Sequence, residues 1–535
     1  MDNYTHGMTL EEQIGQLLMV GFWGTTPTPE IIDLIQHFHI GNIILFSRNI
    51  HDSLQVLELT QQLQKIAREA GQRYPLLIAI DQENGIVQRL GDIATILPGN
   101  MALGAIGSED IACKVAEATG NELKGLGINM NLAPVVDVNN NPANPVIGVR
   151  SFGEEPSLVA RLGSAMVKGY KAAGMISCLK HFPGHGDTII DSHLSLPVIP
   201  YTLQRLEALE LVPFRSGIEA GAESVMIAHI AFPKLMEQST LPATLSPSIA
   251  KELLREHLNF KGVILSDCME MRAISDRFGT EQAVVMALKA GIDLVLVSHE
   301  YKRQRASIQA IQAAVQSHEL TTNEVRRAAE RVLKLKAYNL SWGDLAGTDT
   351  PPAIIGCEKH RQLQHLAFEL STTLVRNNKA LLPLKLSSDM SIVVLSPHRN
   401  TMTLVEDRSY SDDLLVDILQ QHHPHVGLMP VPPELLEEDC ALLLRTPSES
   451  DIFVLATVNA DRDLQQAELV RCLLSSGRHL IVIAIHNPYD LQAFPQLGTY
   501  LCTYEYSRPA LVAAVSVMFG EIQAQGKLPV SIPGL

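Results

Sequence analysis

Between Lys180 and His193 the chain gathers three histidines, a lysine and two aspartates. The order is Lys180-His181-Phe182-Pro183-Gly184-His185-Gly186-Asp187-Thr188, followed by Asp191-Ser192-His193. Pro183, Gly184 and Gly186 deny this segment regular structure. A loop that concentrates titratable groups between apolar runs is where a rigid scaffold would carry chemistry. A solvated polar turn is the commoner meaning of such a loop, but Asp191 and His193 favour the chemical one. They stand two residues apart, so the carboxylate can orient an imidazole that exchanges protons near neutral pH. His181, His185, Asp187, Asp191 and His193 also offer nitrogen and oxygen ligands for a metal. Against that, Pro183 and Gly184 break the helix on which an i, i+4 histidine pair would share a face. No Gly-x-Ser-x-Gly elbow is present, which disfavours a serine nucleophile.

The elements that must position this loop are legible as apolar runs. Strand-like runs fall at 16–22, 42–47, 76–81, 129–137, 176–181, 224–230, 262–267 and 292–298. Helical patterns separate most of them, such as Ile111–Leu126, Ser157–Ala173 and Ser248–Leu258. Near-continuous apolar strands imply burial on both faces, and intervening helices imply parallel crossovers. Eight such units predict a (β/α)8 TIM barrel, although an open doubly wound sheet gives similar alternation. The strand ends point to the barrel. Runs three to seven end in Asp81, Asp137, Lys180-His181, His229 and Asp267, and a barrel active site collects polar groups at those ends. For Asp137 alone, a helix N-cap is an equal reading.

Residues 301–340 read as a helical connector, with Thr321-Thr322-Asn323-Glu324 capping its second helix. Asp344–Pro352 is rich in Gly, Pro and Thr. From about 360 a helix at 360–376 and strands at 391–396, 452–458, 479–485 and 499–504 predict a smaller three-layer α/β sandwich. The expected division is therefore a catalytic barrel at 1–340, a linker at 341–359 and a second domain at 360–535. No glycine-rich phosphate loop follows a strand in that second domain, so no nucleotide cofactor is expected there.

Composition narrows the partners. The chain has 535 residues, 46% hydrophobic and 19% charged, with a net charge of −16. Without any Lys/Arg block, this acidity argues against nucleic acid or an anionic membrane as a partner. The seven cysteines are scattered and lack a CxxC, the pattern of free thiols in a reducing compartment. The first residues lack a basic segment leading into an apolar core. A cytoplasmic protein without a membrane span is expected, or a secreted one if the natural chain is longer. A monomer or homodimer is the expected state.

Retaining glycoside hydrolysis needs a strand-end carboxylate as nucleophile and a second group to protonate the leaving oxygen and then activate water. A histidine can fill that second role. At this point the chain resembles glycoside hydrolase family 3, in its β-N-acetylglucosaminidase branch with an added C-terminal domain, as in Gram-positive bacteria. The resemblance is carried by Gly41–Ile50, Ile80–Val87, Asn144–Gly153, Lys180–His193, Pro242–Pro247, Lys261–Met271 and Gly526–Pro533. It implies Asp267 as nucleophile and His193 as general acid/base with Asp191 as its partner. It also implies Asp81 binding sugar hydroxyls, and Arg150, Lys180 and His181 holding the N-acetylglucosamine ring. His185 and Asp187 would shape the loop, and Arg48 and His229 would line the pocket. No metal or other cofactor is implied.

The chain departs from the family pattern at two places. Glu83-Asn84-Gly85 stands where Glu-Gly-Gly is usual, and Asn accepts the positive φ such a turn needs. Cys268 follows the expected nucleophile, where Asp or Ala is common, and would open the site to thiol reagents. The implied substrate is a terminal β-N-acetylglucosaminide of peptidoglycan fragments or chito-oligosaccharides. One rival keeps the same site, a phosphorylase in which phosphate replaces water; the other is a β-glucosidase of the same family. In the β-glucosidase branch the acid/base is a Glu from the second domain and the Lys180–His193 signature is absent.

Overall fold

The structure is a computed structural model that describes residues 4–189, 195–236, 240–345, 350–378, 380–397, 406, 410–432 and 451–535. All eight expected runs form parallel strands. They are β1 (Leu18–Val20), β2 (Asn42–Leu45), β3 (Leu77–Ile80), β4 (Met130–Asn131), β5 (Ile176–Phe182), β6 (Ser224–Ile227), β7 (Val263–Cys268) and β8 (Leu294–Val297). Each pairs with its chain neighbours, and β1 pairs with β8 to close the barrel. β4 is far shorter than the run at 129–137. Pro134 has no N–H to give to the ladder, so pairing continues only through single bonds such as Val136 N to Lys180 O at 2.8 Å.

The alternation along each strand sorts the core. Met19, Ile44, Leu77, Ala79, Met130, Leu132, Met226, Leu265 and Leu296 fill the barrel interior. Ile43, Leu45, Ile78 and Ile80 point outward into the layer of helices. The helix Thr322–Asn339 starts at the expected capping box of Thr321 and Glu324, and its Val332 and Leu335 close the bottom of the barrel. The interior is thus packed below, and the chemistry is left to the upper rim.

The second sheet contains β9 (Thr373–Asn377), β10 (Ile392–Ser396), β11 (Val426–Pro430), β12 (Ile452–Thr457), β13 (His479–Ala484) and β14 (Thr499–Cys502). Its spatial order is β9-β14-β13-β12-β10-β11, with β9 antiparallel and the rest parallel. The five parallel strands follow the 2-1-3-4-5 order of flavodoxin-like folds. Two strands differ from expectation. Residues 373–376 were expected in the tail of a helix; the helix covers Glu358–Ser371, and Thr373, Leu374, Arg376 and Asn377 pair with β14, with a shift of register between Leu374 and Arg376. β11 is an exposed edge strand carrying Gly427, so it shows no apolar run.

The two units share packing. Ile86, Val87, Met101 and Val149 of the barrel join one face of the second sheet in a single apolar cluster. The Glu505 carboxylate accepts the Gly99 N–H at 2.9 Å, and the Asn139 amide donates to the Tyr489 hydroxyl at 2.9 Å. The C-terminal segment returns to the barrel, where Glu154 N bonds Pro529 O at 3.1 Å. Among the described residues, no helix is long and apolar enough to cross a membrane.

Candidate active site

A cavity of about 390 Å³ opens at the C-terminal ends of the barrel strands, within the range of small-ligand sites. Asp81, Arg150, Lys180, His181, His185, Asp267 and Arg48 all line it. Asp191 and His193 lie outside the described residues.

The centre of the cluster is an ion network that rises from the short hairpin Gln82–Asn84/Val87–Gln88 after β3. The Lys180 ammonium donates to Asp81 at 2.7 Å and lies 2.7 Å from Glu83. Arg150 grips Glu83 with two parallel bonds, Nε at 2.9 Å and Nη2 at 2.8 Å. Arg150, Lys180 and Glu83 are all buried. Burial would push the Glu83 carboxyl up, but Arg150 and Lys180 overrule it and hold the group well below the usual carboxylate range. Lys180 is likewise penalised by burial, yet Asp81 and Glu83 raise it above an ordinary lysine. The network therefore stays ionised and fixes the cations that face the cavity.

The hairpin turn that carries Glu83 depends on positive φ at Asn84 (68°) and Gly85 (63°). The asparagine therefore serves where the family pattern has glycine. A Cβ on Gly85 would come within 2.9 Å of Gly99 Cα, so close packing against the Gly99 turn requires a glycine there.

Asp137 caps no helix. Its carboxylate is fully buried and anchors the backbone after β5, accepting the His181 N–H at 3.1 Å and the His185 N–H at 2.7 Å. It also takes His181 Nδ1 at 2.8 Å, which makes Nδ1 the donor. His181 Nε2 is left as an acceptor, 3.4 Å from Arg150 Nη2. Burial would raise Asp137, but His181 above all holds it below the ordinary range. His185 is pushed down to about 4, chiefly by burial. It is a neutral residue that bonds Thr188 at 2.8 Å. Asp187 accepts from the Tyr201 hydroxyl at 2.5 Å. Gly186 lies so close to Val138 O that a Cβ would sit 1.7 Å from it.

Across the cavity, Asp267 near the end of β7 accepts the Cys268 N–H at 2.7 Å. His229 is placed differently from expectation. It is fully buried and is not part of the cavity wall. Its Nδ1 meets Thr244 Oγ1 at 2.7 Å and its Nε2 the Cys268 carbonyl at 2.9 Å, so it braces the strand end from behind. Arg48 lines the cavity but also ties strand ends together, donating to Phe22 O at 2.9 Å and Ser298 O at 2.7 Å. The Cys268 thiol is pushed up to about 12 by burial, with Glu270 adding to the effect.

Several lining residues escaped the sequence reading. Glu83 stood inside a motif used only for its turn. Trp23, one of the chain's two tryptophans, is 65% exposed at the cavity with the Arg48 guanidinium 4.6 Å from its ring centre. Glu406 reaches the cavity from the second unit, and nothing local in the sequence marks it.

Comparison with known proteins agrees with this architecture. Residues 9–335 match the glycosyl hydrolase family 3 N-terminal domain. A relative named beta-hexosaminidase A, from Pseudoalteromonas piscicida, is 32% identical over 98% of this chain and 97% of its own. The structure of a family 3 β-N-acetylglucosaminidase from Paenibacillus sp. str. FPU-7 superposes with a TM-score of 0.89 at 39% identity, covering 98% of this chain and 99% of that one. A fungal multi-domain family 3 β-N-acetylglucosaminidase with a GCN5-related glucosamine N-acetyltransferase region gives a TM-score of 0.93 at 42% identity over 98% of this chain. The present chain spans 61% of that longer protein. With its barrel matched by the family domain and nearly its whole length by these relatives, the chain belongs to glycoside hydrolase family 3.

Proposed function

We propose that this protein is a retaining exo-β-N-acetylglucosaminidase that removes terminal N-acetylglucosamine from peptidoglycan-type fragments or chito-oligosaccharides. The relative named beta-hexosaminidase A and the solved family 3 β-N-acetylglucosaminidase support the sugar. The observation that carries the chemistry is a single cavity holding the Asp267 carboxylate and the Asp81–Lys180–Glu83–Arg150 network. In this reading Asp267 attacks the anomeric carbon and forms a glycosyl ester. His193, oriented by Asp191, protonates the departing oxygen and then takes a proton from water. Asp81, Lys180, Arg150 and His181 hold the ring hydroxyls and the acetamido group, and Arg48 shapes the cavity wall. Glu83 fixes the two cations, and His185 and Asp187 hold the loop's shape. No step requires a metal.

Glu406 supports a second reading. A carboxylate contributed by the second unit lines the same cavity, the arrangement expected of the β-glucosidase branch, with Glu406 as acid/base.

The test is release of p-nitrophenol from its β-N-acetylglucosaminide and β-glucoside, with and without phosphate and EDTA, with the sugar product identified. Free N-acetylglucosamine at rates indifferent to both additives is the expected result. Sugar 1-phosphate would make the protein a phosphorylase. Turnover of the glucoside alone, lost in Glu406→Gln, would replace the reading with the second one.

A further inference from the structure

The rim of the catalytic cavity holds a group of side chains that the glycosidase chemistry leaves unused. Cys268 ends β7, Glu270 lies two residues beyond it, and His299 follows β8. One ligand atom from each lies within 4.8 Å of the other two. Cys268 and His299 line the cavity itself. Glu270 is held in place from behind. Its Oε2 accepts the His299 N–H at 2.7 Å and its Oε1 the Glu300 N–H at 2.9 Å. Each carboxylate oxygen keeps a second lone pair.

The donor set is selective. Thiolate, imidazole and carboxylate together suit zinc, whereas magnesium and calcium take oxygen ligands. The spacing fits as well. Tetrahedral zinc, with Zn–S about 2.3 Å and Zn–O about 2.1 Å, separates its sulfur and oxygen ligands by about 3.6 Å. Cys268 Sγ stands 3.7 Å from Glu270 Oε2. A thiol donating weakly to a carboxylate would also stand at that distance, so binding of the metal itself has to be measured.

We propose that Cys268, Glu270 and His299 form an inhibitory zinc site on the wall of the catalytic cavity. Binding exchanges the Cys268 S–H bond for an S–Zn bond and releases the proton to solvent, with no change of oxidation state. Two consequences follow from the neighbours. Asp267, whose Oδ1 accepts the Cys268 N–H at 2.7 Å, would face a dication that draws on its electron pair and weakens it as a nucleophile. Arg48 would lose a partner, because its Nη1 donates to His299 Nδ1 at 3.1 Å and the ion competes for that lone pair. The inhibition rests on the role assigned to Asp267 above, whereas the binding does not.

Binding is therefore tested first, on the full chain freed of metal, by titration with Zn2+ and with Co2+ as a spectroscopic probe of thiolate ligation. The expected result is one zinc per chain at this site, with a cobalt–thiolate charge-transfer band. Cys268→Ala should abolish the band, and both His299→Ala and the conservative Glu270→Gln should weaken zinc binding at least about tenfold. Arg48→Met, which removes the competitor for His299, should tighten it. Wild-type affinity and an unchanged band in Cys268→Ala would overturn the site; so would unchanged zinc affinity in Glu270→Gln, checked for folding by circular dichroism. The second measurement is turnover of the p-nitrophenyl substrate with and without zinc, compared as a ratio for each variant. Zinc bound at these residues without loss of turnover would overturn the inhibitory role alone, while absence of turnover without zinc would fall on the proposed activity instead.

Discussion

Replacing Glu83 by Gln tests whether the buried network, rather than Asp81 alone, positions the two cations proposed to bind the sugar. Glu83 takes two bonds from Arg150, at 2.9 and 2.8 Å, and Lys180 lies 2.7 Å from Oε1. Its side chain is 3% exposed, and those of Arg150 and Lys180 are 5% and 3% exposed, so solvent cannot replace what is lost. With its oxygen in the Oε1 position, the glutamine can still accept two of the three contacts, from Arg150 Nη2 and Lys180, and loses the one from Arg150 Nε. Its amide N–H groups would then point at the remaining guanidinium donor. Removing one member of a buried ion pair costs about 3–5 kcal/mol. Lys180 keeps Asp81 at 2.7 Å, so the low end of that range is the better figure. About 3 kcal/mol spent on ground-state positioning corresponds to a loss of roughly 100-fold in kcat/KM. Most of it should appear as a higher KM, because in the proposed mechanism Arg150 and Lys180 hold the ring before and during the reaction. The assay is steady-state kinetics on an aryl β-N-acetylglucosaminide, with a thermal melt to confirm folding. A folded variant whose kcat/KM stays within about threefold of wild type would refute the argument that Glu83 sets the site.

Other outcomes follow from the same contacts. Glu505, buried between the two units, has its carboxyl raised by burial from 4.5 to about 7. The folded chain therefore holds a proton that the unfolded chain releases across that window, and stability falls as pH rises through it, by up to roughly 3 kcal/mol. In Glu505→Gln the amide oxygen can keep Gly99 N–H and its nitrogen can donate to Ser507. Denaturant unfolding should show the variant more stable than wild type at about pH 8 and equal below the window; a constant offset at both would contradict the assignment. Asp137→Ala removes the acceptor of the His181 and His185 amides, and hydrogen exchange at those two amides should speed up while the other barrel-strand amides stay protected. Asn84→Ala should lose about 1 kcal/mol at its φ of 68° whereas Asn84→Gly keeps the turn, as comparison of their melting temperatures would show.

The barrel was readable because its strands are buried on both faces and so appear as unbroken apolar runs. Where burial fails, the signal fails with it: β11 is an exposed edge, and Thr373–Asn377 follows a helix without a break that composition could mark. Pro134 shortened β4 although the apolar run around it continued. Among the site residues, those at strand ends were legible because topology brings such ends to one rim. Asp81, Lys180, His181 and Asp267 meet there, joined by Arg48, Arg150 and His185, which only the resemblance to the family marked. His229 also ends its run but turns away from the cavity to brace Cys268, a choice of side-chain direction that no spacing records. For Asp137 a cap and a site residue were equal readings because a strand-end aspartate has two uses, and only the folded loop shows which N–H groups reach it. Glu406 is brought in by the second unit from more than a hundred residues away in sequence.

The most direct test of the central claim is to trap the glycosyl-enzyme. A fluorinated N-acetylglucosaminyl donor with an activated leaving group should slow the second step more than the first, so the ester accumulates. Peptide mass spectrometry should then find one sugar on the peptide bearing Asp267, and no adduct in Asp267→Ala. Steady turnover without any adduct, or a sugar attached to another carboxylate such as Glu406, would contradict the account.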